Sequence, residues 1–301
     1  MRNLADRLIR DIKKKRSYVV VGLDPRLELL PASFRRGANN AKKAAKTIER
    51  FNRAVIDIVE SYAVAIKPQI AFYERWGHSG IGAFKTTCGY GQEKGLLVIG
   101  DVKRGDVPST AEAYAEAYLG KNSPVVADAI TVNPFFGTDS IEPFTKMAKK
   151  TGKGLFILVK TSNPSSAEIQ DLRLDGKYLY EILAERTVEW GSTLIGKNGY
   201  SSVGAIVGAT YPSQAKVIRA ILQRNFILIP GYGAQGGKAE DLRHYFNPDG
   251  LGAIVSASRS ITFAYRGQPY DKKYGERKWE LAVEQAVKNM RDEVNSNVIK
   301  G

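Results

Sequence analysis

Cysteine and histidine are scarce in this chain, which holds one cysteine and two histidines among 301 residues. The single Cys88 excludes a disulfide within the chain and fits a reducing compartment such as the cytoplasm. A structural zinc site needs four clustered cysteine or histidine ligands, and Cys88, His78 and His244 are too few. We therefore expect a cytoplasmic protein without a metal.

Long hydrophobic runs are also missing. Apolar stretches such as GLFILV at 154–159 are far shorter than the roughly 20 residues of a membrane-spanning helix. The first residues lack the apolar centre of a secretory signal. Instead, Leu4, Leu8 and Ile12 recur at intervals of four, which predicts an amphipathic helix at about 1–16. We expect no membrane partner.

Acidic residues are outnumbered, because 45 lysines and arginines against 31 aspartates and glutamates leave a formal net charge of +14. A high positive charge is typical of nucleic-acid-binding proteins. The basic residues are spread along the chain, however, and no zinc-finger, RNP or basic-zipper pattern occurs. We expect a small anionic substrate rather than nucleic acid, with a non-catalytic nucleic-acid-binding barrel as an alternative.

One repeated unit is present: a short apolar run rich in valine and isoleucine, followed by a longer segment of helical period. Such runs are typical of parallel strands covered on both faces. Eight units predict an α/β fold, a (β/α)8 TIM barrel, with a doubly wound open sheet as the alternative. No proline- or serine-rich linker divides the chain, so we expect a single domain over 1–301. The runs are YVVVGLD (18–24), AVAIKPQ (63–69), LLVIGDVK (96–103), AITVNP (129–134), GLFILVK (154–160), VGAIVGAT (203–210), FILIPG (226–231) and AIVSASR (253–259).

Charged and polar residues follow most of these strands. In a TIM barrel the carboxyl ends of all eight strands meet at one face, and the catalytic groups come from that face. The coincidence of many such residues at strand ends is more specific than any one of them. They are Asp24, Lys67, Asp101, Lys103, Ser162, Gln235 and Arg259.

The densest of these strand ends is GDVKRGDVPST at 100–110. Asp101 and Lys103 are two apart on a strand and should share a face. Lys67 lies on the neighbouring strand, and Asp106 lies just beyond. Alternating opposite charges keep both lysines protonated, and a fixed ammonium group can donate a proton or stabilise negative charge. The alternative is an ion-pair cluster that only closes the barrel mouth.

The loops after the seventh and eighth strands have the composition of an anion site. IPGYGAQGG at 229–237 carries four glycines and Gln235, and SASRS at 256–260 carries Arg259. Glycine lets backbone N–H groups approach an anion, and arginine binds phosphate in a bidentate manner. Phosphate sites of TIM barrels frequently form at this place, although a flexible glycine loop is the alternative.

These residues together resemble the orotidine 5′-monophosphate decarboxylase family, whose members make UMP in pyrimidine synthesis. DVKRGDVPST matches the family signature Asp-x-Lys-x-x-Asp-(Ile/Val)-x-x-Thr. The stretches VGLDPR, IKPQIAFYERWG, VNPFFG and VKTSNPSS are similar to its longer-chain subgroup, and the likeness runs from about residue 18 to 262. The resemblance implies a carboxy-lyase that acts as a homodimer with shared active sites.

The resemblance also implies a role for each residue of the charged group. Asp24 and Lys67 would bind the ribose hydroxyls of orotidine 5′-monophosphate. Asp101 would lie against the substrate carboxylate. Lys103 would deliver a proton to carbon 6 of the pyrimidine.

The other candidates would hold the substrate from outside that group. Asp106 and Thr110 would reach into the neighbouring subunit's site, and Ser162 would contact the pyrimidine. Gln235 and Arg259 would bind the phosphate. The tyrosine that helps bind phosphate in shorter family members has no clear counterpart here.

No motif for PLP, thiamine or a metal offers an electron sink, so we expect a cofactor-independent reaction driven by electrostatics. The mostly polar segment 163–177 has the composition of a lid. A sugar-phosphate decarboxylase or aldolase of the same superfamily is the nearest alternative activity. Those enzymes need Mg²⁺ to hold an enediolate.

Overall fold

The computed structural model describes residues 3–233 and 239–298. Eight parallel strands form a closed barrel, and every apolar run predicted from the sequence overlaps one of them. The barrel strands are β1 (Val19–Leu23), β2 (Ala65–Pro68), β3 (Leu97–Arg104), β4 (Ala129–Val132), β5 (Gly154–Lys160), β6 (Ser201–Val207), β7 (Asn225–Pro230) and β8 (Ala253–Ala257).

The two ends of the sheet pair with each other. Val19 of β1 lies opposite Val255 of β8 in a parallel ladder, and Val20 lies opposite Ala65 of β2 on the other side. This closure confirms the predicted (β/α)8 barrel and shows that the open doubly wound sheet was the wrong alternative. A barrel brings the carboxyl ends of distant strands around one opening.

Burial explains why the strands form where they do. All five residues of β1 and all five of β8 are buried, as expected for strands covered by side chains inside the barrel and by helices outside. Gly22 is required by a close approach, because a Cβ atom there would lie 1.9 Å from the Oγ of Ser258. The glycine thus lets the end of β8 close onto β1.

Helices cover the outside of the barrel with their apolar faces. The helix after β1 buries Ile48, Phe51 and Val55 at the predicted spacing of three and four. None of the helices in the described ranges combines the length and apolar character needed to cross a membrane. The longer helices are Leu4–Lys15, Ala41–Val59, Gly77–Glu93, Pro108–Leu119, Thr138–Thr151, Leu179–Gly191, Pro212–Ile221 and Trp279–Val298.

Shorter elements lie in the connections between the barrel units. One antiparallel hairpin pairs Arg173–Leu174 with Lys177–Tyr178. The short α-helices are Ala32–Arg35, Ala71–Glu74, Ala167–Gln170, Arg259–Thr262 and Tyr270–Lys273. The 3₁₀ helices are Leu27–Leu29, Pro164–Ser166, Ser192–Leu194, Ala239–Tyr245, Ala264–Arg266 and Glu276–Lys278.

The first helix covers the amino-terminal end of the barrel, opposite the face that holds the candidate site. Asn3 caps this helix by accepting a hydrogen bond from the N–H of Ala5, and the helix buries its own residues Leu4 and Leu8. Arg7 forms an ion pair with Asp128, which lies directly before β4. The amphipathic pattern read from the sequence therefore serves packing.

Candidate active site

Four of the sequence-predicted residues line one cavity at the carboxyl face of the barrel. Asp24 follows β1, Lys67 lies on β2, Asp101 lies on β3 and Arg259 follows β8. The cavity has a volume of about 200 Å³. It lies where TIM barrels carry their active sites, so the fold unites residues that are up to 235 positions apart (from 24 to 259) in the chain.

At the base of the cavity, Asp101 bridges two lysines. Its Oδ2 atom is 2.7 Å from the Nζ of Lys67, and its Oδ1 atom pairs with the Nζ of Lys103. The hydroxyl of Thr131 on β4 donates a third hydrogen bond to this carboxylate, at Oδ1 over 3.0 Å. Side chains of Lys67 and Asp101 are each 8% exposed, whereas that of Lys103 is 42% exposed. The inner pair is therefore fixed, and the outer ammonium group is accessible.

Electrostatics keep this group charged. Burial, the largest single effect, acts to lower the pKa of Lys67, but the carboxylates of Asp101 and Asp24 raise it above its usual value. Burial likewise acts to raise the pKa of Asp101, yet the ammonium groups of Lys67 and Lys103 hold it well below the usual range. Both partners of the buried pair are thus ionised at neutral pH.

The backbone at Lys103 departs from the regular strand. Its φ is +46°, a left-handed conformation that is uncommon outside glycine. The pairing register between β3 and β4 shifts between Gly100 and Arg104. The N–H of Lys103 donates to the Oγ1 of Thr131 over 2.9 Å, which holds the altered backbone in place. Thr131 therefore fixes both the carboxylate of Asp101 and the backbone that carries Lys103.

Asp24 has an unused acceptor. Its Oδ1 atom is buried but accepts no hydrogen bond from any other described residue. A buried acceptor of this kind loses free energy unless a partner is present. Because Asp24 lines the cavity, a ligand hydroxyl group can supply the missing donor.

Arg259 is a cation that lines the cavity directly after β8. It begins the short helix Arg259–Thr262, is exposed, and forms no ion pair within residues 3–233 and 239–298. Gly231 and Ser258 line the cavity beside it, and Gly231 has a φ of +91°. An unpaired guanidinium group among small residues is suited to binding an anion. Gln235 lies outside the described residues.

Asp106 and Thr110 do not line this cavity. Asp106 accepts a hydrogen bond from the N–H of Val107 over 2.8 Å, and its backbone carbonyl accepts from the hydroxyl of Ser140. Thr110 lies in the first turn of the helix Pro108–Leu119. Of the four predicted alternating charges, three therefore meet within one chain, and Asp106 pairs with neither lysine.

Ser162 lies at the rim, two residues after β5. A Cβ atom on Gly208 would be 2.8 Å from the Cα of Ser162, so the end of β6 holds the Ser162 backbone closely. The predicted lid begins here. It folds into the 3₁₀ helix Pro164–Ser166, the helix Ala167–Gln170 and the short hairpin, and none of its residues lines the cavity.

Sequence analysis missed several residues of the site. Thr131 was hidden in an apolar run, where an isolated threonine usually signals only strand propensity. Arg26, two positions beyond Asp24, lines the cavity with its guanidinium carbon 5.2 Å from the centre of the Phe72 ring. Tyr232 also lines the cavity, but its hydroxyl donates to Glu293.

Comparison with known proteins agrees with this geometry. Residues 17–269 match the model of the orotidine 5′-phosphate decarboxylase / HUMPS family. The chain is 43% identical to the orotidine 5′-phosphate decarboxylase of Caldicellulosiruptor bescii, with 99% of this chain and 100% of that protein covered. The corresponding protein of Rhodopirellula baltica is 40% identical, with 98% of this chain and 99% of that protein covered.

Solved structures give the same result. The Leishmania donovani OMP decarboxylase superposes with a TM-score of 0.77 at 31% identity and covers 99% of both chains. The Leishmania donovani UMP synthase superposes with a TM-score of 0.79 at 32% identity, over 99% of this chain and 57% of that one. With a family model that spans most of its length and relatives of 40% identity or more over nearly all of it, this chain belongs to the orotidine 5′-phosphate decarboxylase / HUMPS family.

Proposed function

We propose that this enzyme decarboxylates orotidine 5′-monophosphate to UMP without a cofactor, with Lys103 as the proton donor. The observation that carries the proposal is the chain of contacts from Lys67 through Asp101 to Lys103. Lys67 and Asp101 line the same cavity as Arg259, and Lys103 is bound to Asp101 without lining that cavity itself. Relatives over the full length bear the name of this enzyme.

The cavity offers partners for the non-reacting parts of a nucleotide. Arg259 is an unpaired cation within the described part of the chain and would bind the phosphate, together with Gln235. The free acceptor of Asp24 and the ammonium group of Lys67 would bind the ribose hydroxyls. Ser162 would contact the pyrimidine from the rim. Binding energy gained at the phosphate can then offset strain at the reacting carbon.

The chemistry follows from the charges at the base of the cavity. The bond between carbon 6 and the carboxylate breaks, CO₂ leaves, and the electron pair stays on carbon 6. The ammonium group of Lys103 stabilises that pair and then transfers a proton to it, and solvent reprotonates the lysine. Asp101 would face the substrate carboxylate, so repulsion between the two anions is relieved when CO₂ departs.

We further propose a cytoplasmic homodimer in which Asp106 and Thr110 complete the partner's site. Asp106 supports this view, because among the described residues its carboxylate accepts a hydrogen bond from the N–H of Val107 alone and forms no ion pair. Val107, the next residue, and Phe135, which follows β4, are large apolar residues with 49% and 86% exposure, as expected for a surface that a second subunit covers.

The Mg²⁺-dependent sugar-phosphate activity of the superfamily is less compatible with this site. A divalent cation prefers carboxylate oxygens that are free to coordinate it. Both oxygens of Asp101 already pair with ammonium groups. A cation there would have to displace one of the two lysines and lie beside the other.

An absorbance assay with orotidine 5′-monophosphate, run with and without EDTA, tests the proposal. We expect loss of substrate, formation of UMP and equal rates in both conditions. Absence of turnover would contradict the proposed reaction. A rate that EDTA abolishes and Mg²⁺ restores would contradict the proposed metal-free mechanism.

A further inference from the structure

Lys160, the last residue of β5, is a buried cation that the proposed reaction does not use. Its side chain is 0% exposed, and its Nζ atom lies 2.7 Å from the Oδ1 of Asp171. It also donates to the Oγ of Ser166 over 3.2 Å. The ring centre of Tyr211 is 4.4 Å from the same ammonium group. A charge at this depth persists only when it is paired and hydrogen-bonded.

Two partners of Lys160 lie in the connection that follows β5. Asp171 and Ser166 both belong to residues 163–178, which we call the β5 loop segment. Asp171 is 29% exposed, so it lies at the surface and reaches inwards to the lysine. If the β5 loop segment moved away, the buried ammonium group would lose its only carboxylate partner among the described residues. Lys160 therefore stabilises the β5 loop segment in the position where Asp171 contacts the lysine.

A second set of contacts anchors the residues on either side of Ser162. The N–H of Thr161 donates to the side-chain oxygen of Gln170 over 2.9 Å, and the Gln170 amide donates back to the Thr161 hydroxyl over 2.9 Å. The hydroxyl of Tyr211 donates to the carbonyl of Asn163 over 3.2 Å. Ser162 is thus held between two anchored neighbours.

Lys160 connects these contacts to the barrel. Its carbonyl accepts a hydrogen bond from the N–H of Gly208 over 2.8 Å, at the point where Gly208 packs on the Cα of Ser162. Its backbone is therefore fixed to β6, while its side chain fixes the β5 loop segment.

We infer that Lys160 is a positioning residue, which sets Ser162 against the pyrimidine base by holding the β5 loop segment through Asp171. This inference rests on the proposed function, in which Ser162 contacts the base. Lys160 itself touches no substrate. Its loss should weaken recognition of the base and leave recognition of the ribose phosphate unchanged.

The test compares two ligands in the variant Lys160→Met, which removes the charge and keeps most of the volume. UMP and ribose 5-phosphate are used as competitive inhibitors, since only UMP carries the base. We expect the inhibition constant of UMP to rise at least tenfold and that of ribose 5-phosphate to change less than twofold. Equal weakening of both ligands, or of neither, would overturn the inference.

A double-mutant cycle with Ser162→Ala tests the route of the effect. If Lys160 acts through Ser162, Ser162→Ala should weaken UMP binding strongly in the wild-type background and less than threefold in the Lys160→Met background. Fully additive losses would show that the lysine acts elsewhere. Lys146→Met is the matched control, since Lys146 pairs with Glu142 on an outer helix and is 76% exposed. It should change neither ligand.

Two further measurements separate the possible failures. If Lys160→Met does not fold, Asp171→Asn removes the same ion pair from the surface side. This variant is then tested with UMP and ribose 5-phosphate and in the double-mutant cycle with Ser162→Ala. Turnover of orotidine 5′-monophosphate by the wild-type enzyme is measured alongside. Absence of wild-type turnover would refute the proposed function, whereas wild-type turnover with no selective loss of UMP binding would refute only the role of Lys160.

Discussion

Replacing Lys103 with alanine tests the proposed chemistry directly. The change removes the ammonium group that would stabilise the electron pair on carbon 6 and protonate it. General acid catalysis contributes roughly 10²–10⁴-fold, and one preorganised charge partner contributes roughly 10²–10³-fold. We therefore expect turnover to fall by about 10⁴–10⁷-fold. At about 1.36 kcal/mol for each power of ten, this is about 5–10 kcal/mol of transition-state stabilisation.

The fold should tolerate the same change. The Lys103 side chain is 42% exposed, and Asp101 keeps its hydrogen bonds from Lys67 and Thr131 at 2.7 and 3.0 Å. Partly exposed ion pairs stabilise a protein by about 0–1 kcal/mol, which corresponds to a melting temperature lower by about 2–4 °C at most. A large loss of activity with little loss of stability is the expected signature of a catalytic group.

Three measurements check this prediction: single-turnover conversion of orotidine 5′-monophosphate, UMP binding by calorimetry, and thermal unfolding. UMP binding should stay measurable in Lys103→Ala, because the groups proposed to bind the phosphate and ribose remain. Lys146→Ala is the control, since it removes an ion-paired lysine on the outer helix Thr138–Thr151. A variant that folds, binds UMP and turns over within tenfold of the wild-type rate would refute the proposed role of Lys103.

Further variants test the rest of the site. Arg259→Ala should raise the KM for orotidine 5′-monophosphate by about 10–150-fold, because about 1.5–3 kcal/mol of binding free energy is lost. The KM for orotidine, which lacks the phosphate, should hardly change, and an equal rise for both substrates would exclude contact with the phosphate. Mixing inactive Lys103→Ala and Asp106→Ala subunits, with exchange confirmed by mass tagging, should restore roughly a quarter of wild-type activity, because about half the dimers are mixed and each has one intact site. No recovery after confirmed exchange would exclude shared sites. Asp101→Asn should lower the free energy of unfolding at pH 7 by about 3–5 kcal/mol, because it leaves Lys67 buried without its carboxylate partner. Burial opposes the ionised form of Asp101, but Lys67 and Lys103 hold its folded-state pKa well below the usual range. The ionised carboxylate therefore stabilises the folded state above the unfolded-state pKa of about 3.9, and this stabilisation is lost as pH falls below that value. Urea unfolding at pH 7 and at lower pH should therefore show the difference between wild type and Asp101→Asn shrinking below about pH 4, and a constant difference would contradict the pairing.

Much of the site could be predicted because strand ends are readable in the sequence. Asp24, Lys67, Asp101 and Arg259 each follow or end an apolar run, and the fold brings them to one cavity. Thr131 could not be found in this way. Its role depends on where β4 lies against the irregular part of β3, and this register is not visible in a short apolar run.

The β5 loop segment shows the same limit. Its polar composition indicated a lid, and its short helix and hairpin are local structures. The sequence does not show that Asp171 turns inwards to a fully buried Lys160, because that contact depends on how the segment packs against β5 and Tyr211. Composition identifies a surface segment, and only packing shows what holds it.

Hydrophobic periodicity acts over a few neighbouring residues, so the eight strands, the helices between them and the residues at the strand ends could be predicted from the sequence alone. Which of those residues meet depends on how the strands pack in the barrel. Closure of β1 onto β8 brought Arg259 to the cavity of Asp24, and adjacent strands brought Lys67 to Asp101. The folded structure also leaves Asp106 without an ion pair to Lys67 or Lys103 of its own chain. Charges interact strongly only at a few ångströms, and distances of that kind are set by the folded barrel.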